Sequence, residues 1–195
     1  DLVVNHTSDQ HPWFQSARSD PNSKYRDWYV WSKKKPKHAH TGMVFPGVQD
    51  TTWTWDKAAK AYYFHRFYEF QPDLDTSNPH VQAEILKIMG FWLELGVSGF
   101  RVDAVPFVIG TKGADVREPD EQFDMLRLFR EFLQWRRGDA VFLAEANVLP
   151  KTDLDYFGRD GDRMHMVFNF QVNQHLFYAL AAGDKGPLEK AMIAT

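Results

Sequence analysis

From residue 76 onward, short apolar runs alternate with amphipathic stretches, and this alternation narrows the fold more than any other feature of the chain. Residues 97–102 form one such run, which ends at Asp103, and residues 140–144 form another, which ends at Glu145. A third run covers 166–170. Ahead of the first, Val81, Ile85, Ile88, Met89, Trp92 and Leu95 follow helical spacing. Asn78 is placed to cap that helix, Pro79 to open it and Gly96 to stop it. Leu126, Phe129, Phe132 and Leu133 mark a second helix over about 120–137, with Gly138 behind it, and a third is expected over about 172–182.

Runs that are apolar throughout are buried on both faces, and helices between them make the sheet parallel. A doubly wound sheet and a (β/α)8 barrel both satisfy this pattern. No glycine-rich phosphate loop follows a strand, which removes the main reason to prefer a nucleotide-binding sheet. In either fold, functional groups gather at the carboxyl ends of the strands. Those ends carry Asn5 and His6, Arg101 and Asp103, Glu145 and Asn147, and Asn169.

Residues 9–75 read differently. They are polar, turn-rich and aromatic, and no helical periodicity persists, so an irregular and partly β segment is expected. Its Lys33-Lys34-Lys35-Pro36-Lys37 run suits a solvated loop. Trp28, Trp31, Trp53, Trp55, Tyr62, Tyr63 and Phe64 either fill a core or offer flat faces to sugar rings. The domain organisation that follows is a barrel part from 1–8 and 76–195, with 9–75 inserted.

A net charge of −3 gives no electrostatic case for nucleic acid or an anionic membrane as partner. No stretch approaches the ~20 apolar residues of a membrane helix. Cysteine is absent, which excludes disulfides and thiolate metal sites and leans toward the cytoplasm. The chain opens inside an apolar run without an initiator Met, as a piece of a longer protein would, and targeting therefore stays unread.

Two carboxylates at successive strand ends are what glycoside cleavage needs: one attacks the anomeric carbon and the other protonates the leaving oxygen. Either acid alone would pass for an ordinary salt-bridge partner. A His, an Arg and two Asn at equivalent positions favour the catalytic reading.

Asp1-Leu2-Val3-Val4-Asn5-His6, Gly99-Phe100-Arg101-Val102-Asp103-Ala104 and Ala144-Glu145-Ala146-Asn147 resemble, in order and spacing, three conserved regions of the α-amylase family, glycoside hydrolase family 13. Gln71-Pro72-Asp73-Leu74-Asp75 resembles a fourth short motif, which usually ends in Asn. The resemblance covers essentially the whole chain. It implies a partial (β/α)8 TIM barrel, about strands 3 to 6, with 9–75 as the inserted domain B that walls the pocket. It further implies Asp103 as nucleophile, Glu145 as acid/base, Arg101 as the cation that orients Asp103, His6 as a hydrogen-bonder to the sugar, and Asp1 as a brace for Arg101. The family's third catalytic Asp, in a His-Asp pair after the seventh strand, has no counterpart after Glu145, so this stretch is expected to be inactive alone.

Asn5 and Asp73 match positions that bind Ca2+ in many members, and both offer oxygen to a hard cation. An acid that relatives place seven residues after the nucleophile is Gly110 here. No organic cofactor is implied. Gln71 resembles the α-glucosidase side of the family, which acts on short sugars, Ala104 resembles its α-1,4-active members, and Ala144-Glu145-Ala146-Asn147 with the stretch 156–168 resembles the maltose-isomerising branch. The expected reaction is retaining glucosyl transfer that turns maltose into trehalose. Hydrolysis of short α-glucosides is the alternative, and a non-catalytic barrel subunit is a remote one. In each enzymatic case the partner is a small sugar.

Overall fold

Parallel strands with intervening helices organise one part of the molecule, and a small antiparallel sheet organises the other. The computed structural model describes residues 1–194. By contact the chain divides into two compact units. One comprises Val3–Trp92 and Pro106–Gln122; the other comprises Asp1–Leu2, Leu93–Val105 and the chain from Phe123 onward.

In the first of these, helix α1 (Pro12–Ser19) opens on Pro12, with His11 Nδ1 accepting the Trp13 N–H at 3.2 Å. The sequence reading had no helix here. α1 is two turns long and buries only Phe14 and Ala17, too little apolar repeat to register as periodicity. Strands β1 (Trp31–Ser32), β2 (Trp53–Asp56) and β3 (Ala61–Phe64) form an antiparallel sheet in the order β1-β3-β2, so the partly β reading holds. Val30, Ala39, Trp53 and Phe64 make its core, and Phe14 stacks on Trp31 and meets Tyr29 and Tyr63 edge-on. Trp28, Trp53, Tyr63 and Phe64 are thus core aromatics, whereas Trp55 is exposed. Lys33, Lys34 and Lys35 are exposed as expected.

Helix α2 (Pro79–Glu94) follows, its start held by Asn78 Oδ1, which accepts the His80 N–H at 2.9 Å. Gly96, at φ 96°, provides the left-handed stop. The buried stripe is Val81, Ile85, Met89 and Leu93, a strict i, i+4 row, whereas Trp92 and Leu95 are exposed. The apolar face assigned from sequence was therefore too wide.

In the other unit, β4 (Gly99–Val102) is followed by α4 (Phe123–Arg136) and β5 (Val141–Ala144); the short helix α3 (Val105–Ile109), between β4 and α4 in the chain, belongs from Pro106 onward to the first unit. Helix α5 (Pro150–Phe157), strand β6 (Met166–Val167), and helices α6 (Phe170–Ala182) and α7 (Gly186–Ala194) complete it. The sheet runs β4-β5-β6, all parallel, and Leu2 bridges Val102 in parallel on the other side of β4. Four successive chain segments pairing side by side in one direction is the connectivity of a (β/α)8 barrel, present here in part. Gly99 sits where β4 crowds β5: a Cβ there would collide with the Val141 carbonyl oxygen. β6 is shorter than the apolar run 166–170 suggested, because Phe170 already begins α6.

Candidate active site

Pairing in register sets up the site. Val102 faces Ala144 across β4 and β5, so Asp103 and Glu145 leave the sheet together at its carboxyl end. Arg101 lies two residues before Asp103 and shares its side of the strand. One Arg101 nitrogen, Nη1, donates to Asp103 Oδ1 and to Asp1 Oδ2, each at 3.0 Å; Nη2 meets Glu145 Oε2 at 2.7 Å. Asp1 reaches Arg101 because the Leu2 N–H donates to the Arg101 carbonyl oxygen and the Asp103 N–H to that of Leu2. The sequence reading had Arg101 serving Asp103 alone; in the structure it serves both acids.

The side chains of Asp103, Arg101 and Glu145 are 23, 28 and 32% exposed, enough for each to meet a ligand. Three carboxylates around one guanidinium leave the place net negative, which suits a reaction whose transition state carries oxocarbenium-like positive charge. The backbone turns at Ala104 through a left-handed φ of 50°, and the Ala104 N–H points at Glu145 Oε2 at 3.3 Å. Such a φ costs a non-glycine residue on the order of 1–3 kcal/mol, and a β-branched side chain would tolerate it worse.

His6 and Gln71 meet in the unit that contains the antiparallel sheet. Gln71 Nε2 lies 3.0 Å from His6 Nε2. An amide nitrogen has only hydrogens to offer, so His6 Nε2 accepts and the ring is neutral. Burial lowers the His6 pKa in the same sense, opposed by Asp73 and assisted by Lys112. Phe67 packs edge-on against the ring at 5.3 Å.

Asn5 and Asp73 also come together there, both with no exposed surface, with Asn5 Nδ2 donating to Asp73 Oδ2 at 3.0 Å. A third residue decides what they do. Lys112 Nζ donates to Asn5 Oδ1 at 2.9 Å and to the Leu74 carbonyl oxygen at 2.8 Å, and pairs with Asp73 Oδ2 at 3.2 Å. Burial lowers the Lys112 pKa and the Asp73 carboxylate acts against it. As arranged, this donor set does not fit Ca2+: the Asn5 and Asp73 oxygens face an ammonium, and a divalent ion among them would meet a like charge. Among the described residues, no group of three or more His, Asp or Glu is assembled for a metal.

Lys112 was missed in the sequence. The signal was a lone lysine just beyond the apolar stretch 105–109, but nothing local says that it turns inward. Of the other strand-end residues, Asn169 caps α6 by accepting the Val172 N–H at 3.0 Å, and Asn147 is exposed.

A parallel α/β sheet with two carboxylates and an arginine at its carboxyl edge defines part of a glycosidase-type (β/α)8 barrel. Residues 1–190 match the α-amylase family, described as "Alpha amylase, catalytic domain", and the chain belongs to it. It is 45% identical over 190 residues to the trehalose synthase of Thermus thermophilus, covering 97% of this chain and 20% of that protein. It is 39% identical over 203 residues to the trehalose synthase of Pimelobacter sp. (strain R48), covering all of this chain and 35% of that protein. Among solved structures, the α-amylase from H. orenii superposes with a TM-score of 0.80 at 28% identity, covering 98% of this chain and 36% of that one. The chain thus spans about a fifth to a third of the length of these relatives. No helix among the described residues is long and apolar enough to cross a membrane.

Proposed function

We propose that this chain carries the nucleophile and the acid/base of a retaining α-glucosyl transferase that isomerises maltose to trehalose. The observation that carries the reading is the single guanidinium of Arg101 holding Asp103 and Glu145 at adjacent strand ends. The names of the two trehalose synthases similar over essentially the full chain support trehalose as the product.

In the first step an Asp103 oxygen bonds to the anomeric carbon of maltose. The bond from that carbon to the bridging oxygen breaks, and Glu145 gives its proton to the leaving glucose. In the second step Glu145 takes the proton of the anomeric hydroxyl of the released glucose. That oxygen attacks the glucosyl ester, Asp103 leaves as carboxylate, and trehalose forms. An ion-paired carboxylate has no proton to give, so before the first step Glu145 turns from Arg101 toward the sugar and takes up a proton from water. Arg101 keeps Asp103 aimed, Asp1 braces Arg101, and His6, held by Gln71, offers hydrogen bonds to the sugar.

Hydrolysis is the same chemistry with water in place of glucose in the second step. The test is product analysis on the full-length protein with maltose. Trehalose as the main early product, with added labelled glucose barely incorporated, is the expected result. Free glucose as the main early product would replace this reading with an α-glucosidase. Asp103→Asn is expected to abolish turnover with sugar binding largely kept, and near-normal activity in that variant would show that another residue attacks.

A further inference from the structure

We propose that Lys112 is a built-in cation that stands in place of a bound divalent ion, fastening residues 5 and 73–74 to the segment after α3 without metal. The family resemblance alone made Asn5 and Asp73 candidate Ca2+ ligands. The geometry instead puts a primary ammonium among their oxygens. Lys112 Nζ lies within 2.8–3.2 Å of three of them, the Leu74 carbonyl, Asn5 Oδ1 and Asp73 Oδ2, and 3.5 Å from a fourth, the Asn5 carbonyl. Its side chain is 3% exposed and that of Asp73 fully buried, so neither charge can turn to solvent for compensation. An ammonium has three hydrogens, and three close oxygens use all of them. Asp73 is engaged further, its Oδ1 accepting the Arg66 N–H at 2.8 Å, so the Lys112 contact is one part of a fully bonded carboxylate.

The arrangement also answers the missing acid. A divalent ion here would have one carboxylate, Asp73, with Gly110 adding no charge, so even without the lysine it would bind only weakly, at about millimolar concentration. One ammonium against one carboxylate balances. Lys112 lies two residues beyond Gly110, and Thr111 between them is held by its N–H to the Asp120 carbonyl oxygen at 3.0 Å. Lys112 is a positioning residue: Asn5 precedes His6, the candidate sugar contact, and Asp73 lies two residues from Gln71, which holds the His6 ring.

The test uses the full-length protein and Ca2+ itself as probe. Metal analysis of purified wild type is expected to find far less than one Ca2+ per chain. Chelator treatment and millimolar Ca2+ are each expected to leave its Tm within about a degree. Lys112→Ala is expected to lower Tm by roughly 5–10 °C and to gain a Ca2+-dependent recovery that wild type lacks. Stoichiometric Ca2+ in wild type, or a fall in Tm on chelation, overturns the proposal. So does a Lys112→Ala variant that keeps its Tm, or that loses it with no response to Ca2+, because the pocket would then be one that no metal can use. If Lys112→Ala fails to fold without Ca2+, expression with and without the ion reads the same distinction. None of these readouts involves trehalose, so the proposal can fail while the functional reading stands.

Discussion

Glu145 and Lys112 show how a residue's role depends on what faces it. Glu145 in the ligand-free arrangement is an ion-pair partner of Arg101, and it becomes a proton donor only after it leaves the guanidinium and takes up a proton. Glu145→Gln removes the proton and keeps the shape. Its turnover of maltose is expected to fall by about 10²–10⁴-fold, the usual size of general-acid assistance. An α-glucosyl fluoride, whose leaving group needs little protonation, is expected to lose much less in its first step. Comparing single-turnover rates on the two substrates checks this, and equal losses would remove Glu145 from the donor role. Lys112, by contrast, has no freedom: with its carboxylate partner fully buried, breaking the pair costs on the order of 3–5 kcal/mol.

The β2–β3 hairpin carries a pH-sensitive histidine at its end. His65 follows β3 and is 2% exposed. Its Nδ1 faces the Phe67 carbonyl oxygen at 3.0 Å, so Nδ1 donates, and Nε2 meets the Thr54 hydroxyl at 2.9 Å, which donates to it when the ring is neutral. Burial lowers the His65 pKa below 6.5, with the Phe67 carbonyl, Asp73 and Glu69 opposing. Below pH 6.5 the unfolded chain therefore binds a proton that the folded chain resists. The contribution is present above that pH and is lost as pH falls through 6.5 toward the folded value. Thermal unfolding of the full-length protein between pH 7.5 and 5 is expected to show a steeper loss of Tm for wild type than for His65→Gln, which cannot titrate. Parallel curves would show that His65 is not the group responsible. The hairpin also shows why aromatic side chains resist interpretation from sequence: Trp53 and Phe64 are core, whereas Trp55, two residues along and on the same face of the strand, is exposed.

At the scale of the whole molecule, α6 and α7 leave Phe177, Leu180, Met192 and Ile193 between 63 and 86% exposed. Apolar surface of this kind is a docking or aggregation surface. The isolated 195-residue chain is therefore expected to bind a hydrophobic dye such as ANS and to self-associate with rising concentration, and the full-length protein to do neither. A monodisperse chain that leaves ANS dark would show that these helices cover each other in solution. Much of the fold was legible beforehand, since short apolar runs alternating with amphipathic helices read as strands of a parallel sheet, and Asp103, Glu145 and Arg101 stand at the ends of such runs. By itself, then, the sequence determined the parallel sheet, the helices α2, α4 and α6, the family and the placing of two acids at neighbouring strand ends. These rest on local periodicity and on motifs contiguous along the chain. Only the tertiary structure decided that Arg101 reaches Glu145 as well as Asp103, that Asn169 is a cap, and that Lys112 fills the place suggested for a metal. Each of those is a contact between residues far apart in the chain, or a choice of which way a side chain turns, and spacing along the chain encodes neither.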